Sequence, residues 1–142
     1  MSMQLDKVQP KNKRQLKQLI NYAFKHNIYD LNFIDTSEIT DMSLLFSNCM
    51  HNFDVSSWDV SNVTNMGYMF YHCKNFNCDL SNWDVSKVKN MNYIFYNCKN
   101  FNCDLSDWDI SNMTRWKNIF YGCDKITIPN WYKKLYIVKN KI

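Results

Sequence analysis

Glycine and proline are scarce in this chain, and each occurs only twice among its 142 residues. Phosphate-cradling loops and the tight turns of β-hairpins both depend on such residues. Walker, Rossmann and Gly-x-Ser-x-Gly patterns are absent from the sequence. The three histidines, His26, His51 and His72, are scattered along the chain. We therefore expect a protein that is not an enzyme and has no catalytic residues, cofactor, bound metal or small-molecule substrate.

Targeting segments are missing as well. No apolar run in the sequence approaches the roughly 20 residues of a membrane-spanning helix. The first ten residues lack the apolar segment of a secretory signal. These absences predict no transmembrane segment and a location in the cytoplasm.

The sequence contains instead an internal repeat. Trp58, Trp83 and Trp108 recur at equal intervals. The same period separates three phenylalanines, at 70, 95 and 120, and three cysteines, at 73, 98 and 123. A less regular copy begins at Asp35, and its distance from the equivalent Asp59 is shorter than that period by one. A fixed period of this length is typical of solenoids, in which each unit buries its apolar face on the next. The sequence thus predicts an α/β repeat solenoid of short strands and short helices.

Three parts can be distinguished. Residues 1–33 are expected to form an N-terminal capping helix and a first strand, residues 34–124 about 3.5 copies, and residues 125–142 a C-terminal cap. The first helix is predicted over residues 10–26 from apolar residues at helical spacing: Leu16, Leu19, Ile20, Ala23 and Phe24. The C-terminal cap is expected to be helical from the spacing of Trp131, Tyr132, Leu135 and Tyr136.

Within a copy, two halves differ in pattern. The spacing of Val63, Met66, Phe70 and Cys73 predicts a helix of two to three turns, with Ser61 and Thr64 as N-cap candidates. The stretch from Asp79 to Ser86 predicts one or two short strands that pair in parallel with the next copy.

The repeat Leu80-Ser-Asn-Trp-Asp-Val-Ser-Lys-Val-Lys-Asn-Met-Asn-Tyr-Ile-Phe-Tyr-Asn-Cys-Lys-Asn-Phe-Asn-Cys-Asp resembles the BspA-like leucine-rich-repeat surface proteins of bacteria and mycoplasmas. Their consensus is roughly L-S-x-W-D-V-S-N-V-T-x-M-x-x-M-F-x-x-C-x-x-F-N-Q-D. The match covers about residues 34–124, with Cys78 and Cys103 in place of the glutamine. The resemblance implies a right-handed leucine-rich-repeat-like coil, and protein binding that often serves adhesion.

Cysteines and aspartates each recur at equivalent positions. Inter-copy disulfides are geometrically possible among the cysteines, whereas buried free thiols are the alternative that we favour. A zinc site is disfavoured because no Cys-x2-Cys pair occurs. For the aspartates the alternatives are a cation column and carboxylates that accept backbone N–H groups of their own turn, and we favour the second.

Tyrosines provide the candidate partner surface. Tyr71, Tyr96 and Tyr121 follow the core phenylalanines directly, and Tyr68 and Tyr93 lie two residues before the core phenylalanine. Partly exposed aromatic residues rimmed by acids are typical of binding faces. The alternative is that these rings pack between copies and expose only their hydroxyls.

Charge is divided unevenly along the chain, whose net charge is +4. Residues 35–124 carry −5, whereas residues 1–34 carry +4 and residues 125–142 carry +5. Nucleic-acid binding along the copies is therefore disfavoured. A binder of nucleic acid or anionic surfaces through basic caps remains a lower alternative, and it would use Lys11, Lys13, Arg14, Lys133, Lys134 and Lys139.

The function that the sequence favours is binding of another protein by a monomer. In the first version an intracellular protein docks on a partner, which it could inhibit. In the second, an adhesion module outside the cell binds proteins of a host or of neighbouring cells.

Overall fold

The computed structural model describes residues 7–140. Helix α1 spans Lys13–Lys25 and helix α2 spans Asn130–Asn140. Between them the backbone forms successive turns, and the described range contains no β-strand. Isolated parallel bridges join successive copies, for example Asp41 to Asn65 and Asn65 to Asn90. The division into three parts stays a prediction, and residues 1–6 and 141–142 of the outer parts lie outside the described residues.

The predicted α/β repeat solenoid is therefore wrong: between residues 7 and 140 there are two helices and no sheet. The helix expected from Val63 to Cys73 does not form. Tyr68 and His72 both have a φ of 58°, in the left-handed region, and this interrupts any right-handed helix. Each closes a turn, and these turns are sealed by hydrogen bonds from Met69 N–H to the Met66 carbonyl (3.2 Å) and from Cys73 N–H to the Phe70 carbonyl (3.0 Å).

Hydrogen bonds between copies use the remaining N–H groups of this segment. Every second residue donates to a carbonyl of the next copy, at 2.8–2.9 Å; the donors are Met66, Tyr68, Phe70 and His72. A helical N–H would have to donate to its own copy instead. The apolar spacing of three and four residues arises here from consecutive turns, not from helical periodicity.

The strands predicted from Asp79 to Ser86 are also absent, because the N–H groups of this stretch are used locally. Ser81 and Ser86 donate to the carboxylates of Asp79 and Asp84, and Trp83 donates to the Leu80 carbonyl at 3.1 Å. Ser61 likewise is not a helix N-cap, since its N–H donates to Asp59 at 2.9 Å. These local bonds leave few donors for a ladder of strand hydrogen bonds.

Stacked aromatic columns form the core. Successive rings of Phe46, Phe70, Phe95 and Phe120 stack 5.6–5.8 Å apart and lie within 5° of parallel. A second column, Phe53, Phe76 and Phe101, packs against the first. Copies of the sequence thus lie directly on one another, and each phenylalanine is buried by its equivalents.

Helix α1 covers the first copy, as the apolar spacing predicts, although it begins at Lys13 and not at residue 10. Asn12 is its N-cap, and the Asn12 side chain accepts the Gln15 N–H at 3.0 Å. Leu16, Ile20 and Ala23 are fully buried, while Leu19 and Phe24 pack partly buried on the core.

Helix α2 confirms that the C-terminal segment is helical. Trp131, Tyr132 and Leu135 pack against the core, and the Trp131 ring lies 5.9 Å from that of Phe120. Tyr136, in contrast, is 65% exposed.

Candidate partner-binding surface

The five predicted tyrosines form one continuous group, which we call the tyrosine layer: Tyr68, Tyr71, Tyr93, Tyr96 and Tyr121. Rings at equivalent positions stack, at 4.8 Å for Tyr68 and Tyr93, 5.2 Å for Tyr71 and Tyr96, and 4.9 Å for Tyr96 and Tyr121. Within a copy the rings also touch, because Tyr68 lies 5.4 Å from Tyr71 and Tyr93 lies 5.6 Å from Tyr96. The structure therefore brings all five predicted residues together.

Exposure varies across the layer. Tyr121 is 62% exposed and Tyr68 is 37% exposed, whereas Tyr71, Tyr93 and Tyr96 are half-buried. No hydroxyl of the layer has a hydrogen-bond partner within residues 7–140. The binding face and the packing between copies, which the sequence offered as alternatives, are therefore compatible. The rings pack between copies, and their edges and hydroxyls remain available to water or a partner.

The backbone holds these side chains rigidly. Tyr68 and Tyr93 occupy equivalent left-handed positions, both at a φ of 58°. Their N–H groups donate to the next copy, Tyr68 to Asn92 at 2.9 Å and Tyr93 to Lys117 at 2.8 Å. Rings that stack on an equivalent ring and are carried by a paired backbone have less freedom to lose when a partner binds.

The charged group next to the layer is a cation. Lys117 Nζ lies 5.8 Å from the centre of the Tyr93 ring, within the range of a cation–π interaction. His72 lies against Tyr71 and Tyr96, with ring centres 4.2 and 5.6 Å apart. The expected rim of acids is not among these contacts, since the repeated aspartates bond within their own turns.

Those aspartates form local caps. Asp54, Asp79 and Asp104 each accept the N–H of the serine two residues later, at 2.9–3.0 Å. Hydrogen bonds from the Ser81 hydroxyl, and then from the Ser81 N–H, hold the pKa of Asp79 below its usual range. The interpretation of these carboxylates as acceptors within their own turns is confirmed.

The six cysteines are free thiols in the structure, and several of them donate hydrogen bonds to the preceding copy. Cys73 donates to the Phe46 carbonyl and Cys98 to the Phe70 carbonyl, both at 2.9 Å. Burial raises the pKa of Cys73 to about 12 and also raises the pKa of Cys98. These two thiols behave as small apolar groups with a weak donor.

A cleft at the C-terminal end was not predicted from the sequence. It has a volume of about 460 Å³ and lies between α2 and the fourth copy, which begins at Asp109, the equivalent of Asp35 and Asp59. Its walls include Arg115, Trp116, Lys117, Asn118, Tyr132, Tyr136 and Lys139. The sequence did contain one indication of this site, because the fourth copy departs from the repeat there. It has Arg115, Trp116 and Lys117 where the third copy has Asn90, Met91 and Asn92.

Comparison with known proteins identifies the family. The family model described as "Mycoplasma protein of unknown function, DUF285" matches residues 14–131, which include nearly all of α1, all the copies and the first residues of α2. The chain belongs to this family. Neither the curated proteins nor the solved structures include a match. No helix between residues 7 and 140 has the length and apolarity needed to cross a membrane.

Proposed function

We propose that this protein is a non-enzymatic interaction module that binds a partner protein through the tyrosine layer. The observation that carries the proposal is the continuous stacking of five partly exposed tyrosines across three copies. Tyrosine is among the residues that dominate binding energy at interfaces, because its ring buries a large area and its hydroxyl forms hydrogen bonds.

Preorganisation strengthens this proposal. A flexible tyrosine loses side-chain entropy when it is immobilised, at a cost of about 0.5–1.5 kcal/mol per side chain. Stacking on both faces already restricts Tyr96, which lies between Tyr71 and Tyr121. The layer therefore offers aromatic area and free hydroxyls at a reduced entropic cost.

Location follows as a further part of the proposal. Disulfides persist in oxidising compartments and are rare in the cytosol. Cys73 and Cys98 recur one period apart, yet each thiol donates to a carbonyl of the copy before it. This arrangement of free thiols supports an intracellular partner, which the module could inhibit by covering its surface.

A second candidate is an adhesion module that acts outside the cell. The sequence of the copies supports it, through the resemblance of residues 34–124 to BspA-like surface repeats. The same tyrosine layer would serve as the contact surface in that case. The two candidates differ in the compartment of the partner.

The test is affinity capture from a cytoplasmic extract of the source cells and, in parallel, from its extracellular proteins. Three baits are compared: the intact chain, the variant Tyr71→Ala/Tyr96→Ala/Tyr121→Ala, and the control Tyr22→Ala. Tyr22 is 60% exposed on α1 and lies outside the layer. A protein retained by the intact chain and the control but lost by the triple variant supports the proposal. Equal retention by all three baits refutes the layer as the binding surface.

A further inference from the structure

The fourth copy carries backbone N–H groups that have no acceptor. In the third copy, Met91, Tyr93, Phe95 and Asn97 donate to carbonyls of the fourth copy at 2.8–3.2 Å. The equivalent groups of the fourth copy belong to Trp116, Asn118, Phe120 and Gly122. Within residues 7–140, none of these four N–H groups has an acceptor. The last copy thus ends in a row of donors at every second residue.

The opposite end of the molecule contacts α1 through polar side chains. There Lys17 Nζ donates to the Leu45 carbonyl of the first copy at 2.6 Å. Lys13 Nζ donates to the Ser43 hydroxyl at 2.8 Å. Side chains of α1 thus supply donors to the first copy, whereas the described part of α2 supplies no hydrogen-bond acceptor to the row of donors on the fourth copy.

Two residues of the donor row line the C-terminal cleft. Phe120 lies beneath α2, with its ring 5.2 Å from that of Tyr132. Trp116 and Asn118, in contrast, line the cleft of about 460 Å³. Unpaired N–H groups at an exposed edge can pair with the carbonyls of another chain.

The walls of the cleft specify the chemistry of that chain. Arg115, Lys117 and Lys139 are exposed cations, and no acidic residue lines the cleft within the described chain. Trp116, Tyr132 and Tyr136 add aromatic surface. An extended peptide presents a carbonyl on one edge at every second residue, and the donors on the fourth copy also recur at every second residue.

We propose that this cleft binds an extended peptide segment that carries acidic side chains. Its carbonyls accept the Trp116 and Asn118 N–H groups, and its carboxylates pair with Arg115, Lys117 and Lys139. This inference goes beyond the function proposed above, because the cleft is a second surface with its own ligand chemistry.

The binding test uses a fluorescein-labelled peptide of four consecutive Glu-Val pairs, and a Lys-Val peptide as its counterpart. Fluorescence anisotropy with the full chain should detect the Glu-Val peptide only. The variant Arg115→Ala/Lys139→Ala should weaken binding by about tenfold or more, since it removes two charge partners. The matched control Lys133→Ala/Lys134→Ala removes the same charge from exposed residues of α2 outside the cleft. It should change the affinity by less than about twofold.

Amide exchange tests the backbone pairing directly. A saturating concentration of the Glu-Val peptide should slow hydrogen exchange at the Trp116 and Asn118 amides. The Thr114 amide, which already donates to the Lys89 carbonyl at 2.9 Å, is the internal control and should not change.

Several results would overturn the inference: no binding of the Glu-Val peptide, equal losses in the two double variants, or unchanged exchange at both amides. Tighter binding of a short oligothymidylate would do so as well, because it would identify a nucleic-acid surface. The triple tyrosine variant should still bind the Glu-Val peptide, so failure here is distinguishable from failure of the tyrosine layer.

Discussion

Trp131 Nε1 donates to the Leu105 carbonyl at 2.8 Å, and this repeats the bond that Trp108 makes to Leu80 one copy earlier. Trp58 and Trp83 make the same bond to Leu31 and Val55. Helix α2 thus attaches through a tryptophan that continues the indole column of the copies. The same hydrogen bond, from an indole N–H to a backbone carbonyl, therefore joins successive copies to one another and α2 to the last of them.

Trp131→Phe should destabilise the protein by about 1–2 kcal/mol, because it removes the indole donor and leaves the Leu105 carbonyl unpaired. Urea unfolding followed by tryptophan fluorescence or circular dichroism measures the change. Tyr136→Phe is the control, since this residue is largely exposed and should change stability by less than about 0.5 kcal/mol. A Trp131→Phe variant as stable as the control would show that this last indole bond is not holding α2.

Gly122 occupies the position of His72 and Asn97 in earlier copies, but a side chain there would collide with Asn97. Its φ is +75°, and an added Cβ would overlap Asn97 Oδ1. Gly122→Ala should therefore cost about 2 kcal/mol through left-handed strain and overlap. Chemical denaturation of this variant, of Asn97→Ala and of the double variant forms a cycle. The double variant should lose less stability than the two single losses added, and strict additivity would contradict the collision.

Stability should fall in acid because the repeated carboxylates lose their local bonds. Serine hydroxyl and N–H donors lower the pKa of Asp79 and Asp84 in the folded protein. A group whose folded pKa lies below its unfolded value stabilises the protein above the unfolded value, about 3.9. That contribution disappears as the pH falls below this value and through the lower folded pKa. Unfolding free energies measured from pH 3 to 7 should show this decline.

The variant Asp79→Asn/Asp84→Asn separates charge from geometry. Asn65 and Asn90 already accept an N–H two residues later, at 3.0 and 2.9 Å, so asparagine can keep the turn. The double variant should remain folded and show a shallower decline in acid. An unchanged pH slope would mean that these carboxylates do not titrate at lowered pKa values.

Thiol reactivity should follow burial. Burial raises the pKa of Cys49, Cys73 and Cys98, but Cys73 and Cys98 are fully buried, whereas Cys49 is only half-buried. In native protein at pH 8, iodoacetamide should label Cys49 well before Cys73 and Cys98, because only exposed thiolates react quickly. Peptide mass spectrometry over time gives the order, and labelling in guanidinium chloride should abolish it. Early labelling of Cys98 would contradict the burial of its thiol between copies.

Much of this arrangement could be predicted from the sequence. The regular period places equivalent phenylalanines, tyrosines and cysteines together, and the structure stacks the aromatic rings in that register. Helix α1 was predictable because its apolar residues recur at helical spacing over several turns. The capping role of the aspartates was predictable because aspartate followed two residues later by serine favours a local hydrogen bond.

The backbone of the copies was not predictable in the same way. Apolar spacing of three and four residues fits a helix, but consecutive turns with left-handed residues four apart give the same spacing. Tyr68 and His72 occupy those left-handed positions, and neither residue type signals this conformation as glycine would. The sequence did indicate that the Trp131 indole continues the column of tryptophans, since Trp131 follows Trp108 at nearly the interval that separates the earlier tryptophans. The free donors of Trp116 and Asn118 depend on pairing between copies, which no local pattern encodes.

The most direct test of the central proposal is a calorimetric titration with the purified partner that the affinity capture identifies. The intact chain, Tyr22→Ala and Tyr71→Ala/Tyr96→Ala/Tyr121→Ala are compared, after circular dichroism has established that all three are folded. The account predicts that the triple variant raises the Kd by about 30-fold or more, since interface tyrosines contribute about 2 kcal/mol or more when they are hot spots. It also predicts that Tyr22→Ala leaves the Kd unchanged. A folded triple variant that binds with the affinity of the intact chain would contradict the tyrosine layer as the site of partner binding.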